Sequence, residues 1–184
     1  YGLCILCACG HDVRAVCSSV QQLIMRIPTT EIQTTELSVL HQFVLSLKLR
    51  KYPIMMSDEL QDLSMHYFTN RSSSASEGQK TTAEKFRRSG FKVQDEVFCP
   101  DTKYSIDMLL TNRRSNQVFL VEYNGPVHYV RNEYNEEVQE TGSTMLKRWH
   151  MTQYHPFIFK TIKHNERALQ IPRVIAECLR YVKK

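Results

Sequence analysis

The sequence predicts a mixed α+β fold, in which antiparallel helices precede an α/β domain with a mixed sheet flanked by helices. Up to about residue 70, apolar residues recur at three- and four-residue spacing, as in Leu37, Leu40, Val44 and Leu47. That is the period of a helix with one buried face. Beyond residue 90, short apolar runs are interspersed with helical patterns. Strands and helices in this order favour a sheet that is covered by helices.

The length and composition are those of a globular protein. A chain of 184 residues is long enough for one domain or two small ones. Its hydrophobic fraction of 42% and charged fraction of 23% exclude wholesale disorder and fibrous repeats. No apolar run reaches the roughly 18 to 20 residues of a membrane span, so we expect a soluble protein. The chain begins at Tyr1, so no targeting segment can be read from it.

The net charge of +5 belongs to the second half of the chain. Residues 1–78 hold six basic and seven acidic side chains, whereas residues 79–184 hold 18 basic and 12 acidic ones. A basic domain attracts polyanions, because neutralising phosphates releases their counterions. The charge distribution therefore indicates a polyanionic partner for the second half.

Cysteines crowd the N-terminus at Cys4, Cys7, Cys9 and Cys17, near His11. The spacing of the first two is that of half a zinc site, but a second ligand pair at the proper distance is missing. The apolar residues between them favour a buried helix, in which cysteine serves as a small hydrophobic residue.

The rest of the first 70 residues is predicted to form helices separated by Pro28 and Pro53. One helix includes Val16 and Ile24, and another lies between the two prolines. A third begins near Ser57, a residue type that caps helix N-termini. Short antiparallel helices of this kind are typical of the end of a helical-repeat array.

The serine-rich stretch of residues 71–78 is predicted to be a flexible linker between a helical region, residues 1–70, and a second domain, residues 79–184. The elements expected in the second domain are a helix from Thr81 to Ser89, strands at Phe91–Phe98, Tyr104–Leu110 and Val118–Tyr123, a helix from Thr144 to Gln153, a strand at Phe157–Ile162, and a closing helix at Glu166–Val182 that Pro172 interrupts.

Two carboxylates, Asp107 and Glu122, lie on the arms of the predicted hairpin, within runs that otherwise read as core strands. Charged residues are rarely buried without a partner or a function. If the hairpin aligns them, they can hold a hard divalent cation such as Mg²⁺ between their oxygens. The alternative is that each pairs with a nearby basic side chain.

Three segments carry a family resemblance, in order along the chain. They are Tyr104 to Asp107 (Tyr-Ser-Ile-Asp), Val121 to Tyr129 (Val-Glu-Tyr-Asn-Gly-Pro-Val-His-Tyr) and Gly142 to Trp149 (Gly-Ser-Thr-Met-Leu-Lys-Arg-Trp). Together they resemble the RAP domain, a resemblance that covers roughly residues 80–184. It implies the restriction-endonuclease-like PD-(D/E)xK fold. It also implies a place behind helical repeats in mitochondrial or plastid RNA-processing proteins.

The resemblance implies a degenerate nuclease site built from Asp107, Glu122, His128 and Lys147. The nuclease pattern has a lysine two residues after the second acid, where this chain has Asn124. Asparagine supplies no positive charge, so Lys147 on the following helix must compensate if RNA is cut. His128 is either a general base or phosphate contact, or a structural residue of its loop.

Basic residues close to aromatic ones form the predicted nucleic-acid surface. Single-stranded RNA is bound by such charges together with stacking platforms. Tyr129 and Trp149 are either platforms or core residues. The candidate contacts are Arg87, Arg88, Arg113, Arg114, Lys147 and Arg148.

The sequence therefore predicts a non-catalytic, RNA-binding RAP-domain protein of an organellar ribonucleoprotein, such as the mitochondrial ribosome or an RNA-processing complex. Its expected partners are organellar ribosomal or messenger RNA and the proteins of that complex, with no membrane and no cofactor. One alternative is a metal-dependent RNA endonuclease, with Mg²⁺ held by Asp107 and Glu122. The other is a protein-interaction module, since a fold does not dictate a function.

Overall fold

A computed structural model describes residues 1–70, 75–156 and 158–180 of the chain. They form two compact units. Unit 1 comprises Tyr1–Ser72, Pro100–Tyr104 and Gly142–Tyr154. Unit 2 comprises Ser73–Cys99, Ser105–Thr141 and His155–Lys184. Two segments of the basic half of the sequence thus pack with the N-terminal helices.

Unit 1 is built from helices. The prolines expected to separate them lie outside helices, since Pro28 precedes a short 3-10 turn and Pro53 follows the third helix. Ser57 caps its helix as predicted, because its hydroxyl accepts the N–H of Leu60 at 3.3 Å. The helices are α1 (Gly2–Ala8), α2 (Arg14–Ile24), α3 (Thr34–Arg50), α4 (Asp58–Thr69) and α6 (Gly142–Tyr154).

The core of unit 1 lies around α3, which is buried along most of its length. Cys4, Cys7 and Cys17 are buried in the same apolar cluster, which confirms the interpretation of α1 as a core helix. Burial raises the pKa of the Cys17 thiol to about 12. A thiol with so high a pKa stays protonated and packs as an apolar group.

A polar network is enclosed within unit 1. The ring of His150 is fully buried, with Nε2 at 2.9 Å from the Ser46 hydroxyl and Nδ1 at 3.0 Å from the Tyr104 hydroxyl. Burial lowers the pKa of His150 to about 3. The ring is therefore neutral at physiological pH, and both nitrogens are satisfied by hydroxyl groups.

Unit 2 is built on a four-stranded sheet in the order β1-β2-β3-β6. The first three strands are antiparallel and β6 runs parallel to β3, so the mixed α+β fold class is confirmed. A separate two-stranded sheet is formed by β4 (Tyr129–Arg131) and β5 (Glu137–Glu140). The main strands are β1 (Phe91–Phe98), β2 (Ser105–Asn112), β3 (Val118–Asn124) and β6 (Phe159–Lys163).

Helices α5 (Glu77–Arg88) and α7 (Arg167–Arg180) share one apolar cluster with the sheet. β2 alternates along its length, with Ile106, Met108 and Leu110 fully buried. The buried face of β2 and the apolar face of α7 both contribute to this cluster, because each element removes its apolar face from water. The cluster contains Ala83, Phe86, Phe91, Met108, Leu110, Phe119, Val121, Tyr123, Ile162, Ile171, Val174 and Cys178.

The predicted linker and the start of α5 differ from the structure. Helix α5 begins at Glu77, inside the stretch expected to be flexible, because Ser76 and Gln79 form a reciprocal cap. The Gln79 N–H donates to the Ser76 hydroxyl at 3.2 Å, and the Ser76 N–H donates to Gln79 Oε1 at 3.3 Å. Residues 71–74 of the predicted linker lie outside the described residues.

The predicted interruption of the last helix at Pro172 is wrong. Helix α7 continues through this proline. The proline ring removes one backbone donor in the second turn, while Ile171, Val174 and Cys178 bury the helix against the sheet. Tertiary packing therefore outweighs the missing bond. The predicted start of the last strand at Phe157 and the predicted end of the last helix at Val182 lie outside the described residues.

Within the part of the chain that the structure describes, none of the helices combines the length and the apolar character needed to cross a membrane.

Candidate functional site

The two candidate carboxylates lie on neighbouring antiparallel strands, Asp107 on β2 and Glu122 on β3. The paired register ends at Met108 of β2 and Val121 of β3, and Asp107 and Glu122 are the next residues along each strand. Opposite residues of antiparallel strands point to the same face of a sheet. Continuing the ladder by one pair would align the two acids as the sequence predicts, and the ladder ends just before that pair. We call the end of the sheet that carries these two residues the carboxylate end.

The carboxylate of Asp107 is engaged by the backbone. Its Oδ2 accepts the N–H of Tyr123 at 2.7 Å. The paired register between β2 and β3 ends at Met108 and Val121, so the side chain takes the place of the backbone acceptor that a continued ladder would supply. The side chain of Asp107 therefore closes the end of a β-ladder.

Two further hydrogen bonds tie this end of the sheet to helix α5. The Gln79 amide donates to Glu96 Oε1 at 2.6 Å and to the carbonyl of Asp107 at 3.4 Å. Glu96 also accepts the Ser105 hydroxyl at 3.2 Å. Its φ of 51° lies in the left-handed region, which side chains rarely adopt. These acids are parts of an internal hydrogen-bond network.

The carboxylate end meets one requirement of a magnesium site and lacks another. Carboxylate oxygens of Asp107 and Glu122 are the donors that Mg²⁺ prefers, and a bound ion would polarise a phosphoryl oxygen there. Glu122 is 4% exposed and Asn124 is 1% exposed. The amide at position 124 supplies no positive charge beside the acids. Lys147, the proposed substitute, belongs to unit 1.

His128 lies in a short turn that is fixed by its backbone. The 3-10 turn Pro126–His128 follows β3 directly. The N–H of His128 donates to the carbonyl of Gly125 at 3.1 Å, and its carbonyl accepts the N–H of Thr141 at 2.8 Å. The half-buried side chain is thus held at the base of the β4–β5 hairpin.

Three residues that the sequence does not indicate as a group attach this hairpin to the rest of unit 2. His164 Nε2 lies 3.1 Å from Glu137 Oε1, and the rings of Tyr129 and His164 are 5.9 Å apart. Burial raises the pKa of the Tyr129 hydroxyl, and the side chain of Asn124 partly opposes this rise. The only signal in the sequence is that His164 directly follows a strand, where sites are often built.

The opposite end of the sheet is basic and exposed. We call it the basic end and define it by Lys92, Arg113, Arg114 and Arg180, all exposed. They meet because α7 ends where the β2–β3 turn begins, as shown by the bond of 3.4 Å from the Asn112 amide to the carbonyl of Cys178. β1 starts at the same end, since Phe91 pairs with Asn112.

The predicted arginine contacts of unit 2 divide into two groups. Arg87 pairs with Asp95, and Arg88 pairs with Glu84 at 2.9 Å. These pairs neutralise both guanidinium groups in part. Among the described residues, Arg113 and Arg114 form no ion pair. Their turn is ordered by Asn112, whose Oδ1 accepts the N–H of Arg114 at 2.9 Å.

The remaining candidates lie on α6 in unit 1. The ammonium of Lys147 is 5.9 Å from the centre of the Tyr104 ring, and Arg148 is exposed. Trp149 packs against the apolar cluster of this unit and has the guanidinium of Arg50 5.8 Å from its ring centre. Of the two predicted interpretations of Trp149, the structure therefore agrees with a residue packed on the core.

Comparison of the chain with protein-family models, with curated proteins and with solved structures found no match.

Proposed function

We propose that this chain is an RNA-binding protein that does not cleave RNA, and that RNA phosphates are bound at the basic end of unit 2. The observation that carries the proposal is the exposure of Arg113 and Arg114 on an ordered turn, without a carboxylate partner among the described residues. Arginine is suited to phosphate, because its planar donor groups match two oxygens at once.

Neighbouring charges at the basic end support the same conclusion. Lys92 and Arg180 extend the positive surface beyond the turn. An unpaired cation on the surface neutralises a phosphate without first losing a partner, which an ion-paired side chain must do. Arg87 and Arg88 are therefore expected to contribute less than the two turn arginines.

The carboxylate end supports binding without cleavage. Asp107 serves a backbone N–H, and Asn124 stands where the nuclease pattern has lysine. Hydrolysis of a phosphodiester needs positive charge beside the attacked phosphate, to stabilise the transition state. The acids alone repel phosphate and supply no such charge.

The family and the cellular setting are part of the proposal and rest on the sequence motifs. We assign the second half of the chain, roughly residues 80–184, to a RAP-type domain of restriction-endonuclease-like fold, because the three motif segments occur there in order. Through that resemblance we propose a mitochondrial ribonucleoprotein as its setting. RNA and proteins that co-purify with the intact chain from mitochondria test this part.

The binding proposal is tested by titrating a labelled single-stranded RNA with the intact chain at several salt concentrations. Arg113→Ala combined with Arg114→Ala should weaken binding about tenfold at low salt. The salt dependence should fall by about 0.7 per lost phosphate contact. The matched control removes the same charge elsewhere through Arg26→Ala and Arg167→Ala, two exposed positions.

The control variant is expected to change the affinity only slightly. Equal weakening by both double variants would mean that the RNA responds to net charge rather than to a surface. A salt dependence that Arg113→Ala with Arg114→Ala leaves unchanged would exclude the basic end as the RNA surface.

A second function, metal-dependent RNA cleavage, is favoured by one observation: Asp107 and Glu122 lie on neighbouring strands, each one residue beyond the last pair of the ladder. For this function Mg²⁺ would be held by the two carboxylates. The two functions differ in one measurable property, which is hydrolysis of RNA that depends on metal and on both acids.

A further inference from the structure

The β4–β5 hairpin presents an apolar and acidic surface that the RNA-binding proposal does not use. The exposed apolar side chains of this hairpin and of the turn that precedes it are those of Val127 (84%), Val130 (41%), Tyr134 (75%) and Val138 (57%). We call these four residues, with the glutamates at positions 133, 136 and 140, the hairpin surface. Exposed apolar residues that lie singly are ordinary, whereas several on one small element indicate a contact site.

The hairpin is an ordered element. Asn132 Oδ1 accepts the N–H groups of Tyr134 and Glu136 at 3.0 and 2.9 Å. The Arg131 guanidinium donates to Asn135 Oδ1 at 2.8 Å. Asn135 has a φ of 63°, a left-handed conformation that asparagine tolerates in turns. Tyr134 is therefore displayed on a fixed turn, so that binding requires little additional ordering.

One side of the hairpin contacts the rest of unit 2. Glu137 accepts from His164 at 3.1 Å and from the Asn165 amide at 3.3 Å. Tyr129 and Glu140 are paired across the strands, and the centre of the Tyr129 ring lies 5.9 Å from that of the His164 ring. In the same register Val130 and its partner Gln139 face the other way, because successive residues of a strand alternate. A register shift between Val130 and Arg131 leaves Val138, which is 57% exposed, without a cross-strand partner.

The charge of the hairpin opposes that of the whole chain. Residues 126–141 hold four glutamates and one arginine, and that arginine, Arg131, lies 3.4 Å from Glu137. A negative surface repels nucleic acid and attracts cationic side chains. Among the described residues, β4 and β5 pair only with each other. An open strand edge can therefore accept an added strand.

We propose that the hairpin surface binds an extended, basic protein segment in which lysine or arginine alternates with apolar side chains. Such a segment adds to the open edge of the two-stranded sheet. Its apolar side chains contact Tyr134 and Val138, and its cations face Glu133 and Glu136. The site is separate from the basic end, so this inference stands whether or not the chain binds RNA.

The test uses a short synthetic peptide in which lysine alternates with valine, titrated into the isotope-labelled intact chain while backbone amide resonances are followed by NMR. Saturable shifts should be confined to the residues of β4, β5 and their turn, with a Kd below about 1 mM. Tyr134→Ser combined with Val138→Thr should weaken binding at least about tenfold. Leu169→Ser, at an exposed leucine of α7 in the same unit, is the matched control and should leave it unchanged.

Charge is tested separately. Glu133→Gln combined with Glu136→Gln should weaken peptide binding a few-fold and reduce its dependence on salt. A peptide in which glutamate replaces lysine should not bind. Arg113→Ala with Arg114→Ala should leave peptide binding intact, while the hairpin variants should leave RNA binding intact, so that failure of either proposal is distinguishable from failure of the other.

Each remaining outcome would overturn the inference. The absence of shifts in the hairpin at about 1 mM peptide would exclude a basic segment as its partner. Equal binding of the glutamate peptide would mean that charge plays no part. Shifts of the hairpin on addition of RNA would assign it to nucleic acid. Self-association that Tyr134→Ser abolishes, measured by sedimentation, would assign the surface to a second copy of the chain.

Discussion

The two ends of the four-stranded sheet in unit 2 carry opposite charges and use them differently. At the carboxylate end, Asp107 and Glu96 accept hydrogen bonds from within the unit. At the basic end, Arg113 and Arg114 are exposed on a turn that is ordered without their guanidinium groups. The sequence indicates Asp107, Arg113 and Arg114 alike as functional residues. The side chain of Asp107 bonds to the backbone of the fold, whereas the turn of the two arginines is ordered by Asn112. We expect the acids to act mainly on stability and the arginines mainly on binding.

The largest effect that tests this comparison is expected at Asp107. Replacement by alanine leaves the N–H of Tyr123 without its acceptor, which should lower the free energy of unfolding by about 2 kcal/mol. Asp107→Asn keeps an acceptor oxygen and should cost less. Urea unfolding of the intact chain measures both. Arg114→Ala, at an exposed position, is expected to change stability by less than about 0.5 kcal/mol.

A loss of stability for Arg114→Ala that equals the loss for Asp107→Ala would contradict this division between the two ends. So would an Asp107→Ala protein as stable as the unaltered chain, because the carboxylate would then be unnecessary for the ladder.

A smaller effect is expected at Glu177 on α7. The Lys160 ammonium, bonded to it at 3.0 Å, holds the pKa of the Glu177 carboxyl below its usual value, and Arg173 adds to the effect. A lowered pKa in the folded state means stability that is present above the unfolded pKa of about 4.3 and is lost as the pH falls below it. Because the carboxylate is partly exposed, the contribution should remain below about 1 kcal/mol.

This expectation is checked by urea unfolding of Glu177→Gln and of the unaltered chain at neutral pH and at about pH 3. The unaltered chain should be slightly more stable at neutral pH, and the difference should vanish in acid. A difference that persists in acid would show that Glu177 acts through packing rather than through its charge.

The strands of unit 2 could be predicted largely from the sequence. The bounds of β1 agree at Phe91 and Phe98, and β3 extends one residue beyond the prediction. β3 has the apolar run of a buried strand, whereas β1 has separate apolar residues at Phe91, Val93, Val97 and Phe98. The short strands β4 and β5 have no such pattern, since several of their side chains are exposed. Helix α5 starts at Glu77, before the predicted start at Thr81, because its first turns are polar and only the cap at Ser76 marks them.

The arrangement of the candidate site could be predicted in part. An antiparallel hairpin with a short turn fixes its own register, so the position of Asp107 and Glu122 just beyond the last pair of the ladder follows from their distances to the turn. The bond from Tyr123 to Asp107 depends on where the ladder ends, which local sequence does not determine. The packing of α6 within unit 1 is a long-range contact, and residues such as Lys147 carry no signal for it.

The measurement that tests the central claim most directly is the hydrolysis of labelled RNA by the intact chain in millimolar magnesium or manganese. Single-stranded and structured RNA are incubated with the unaltered chain, with Asp107→Asn, with Glu122→Gln and with a chelator control. We predict that RNA is bound and remains intact in every sample, because no cation lies at position 124 to stabilise the transition state. Cleavage that requires metal and disappears in both variants would contradict the account and identify the carboxylate end as a nuclease site.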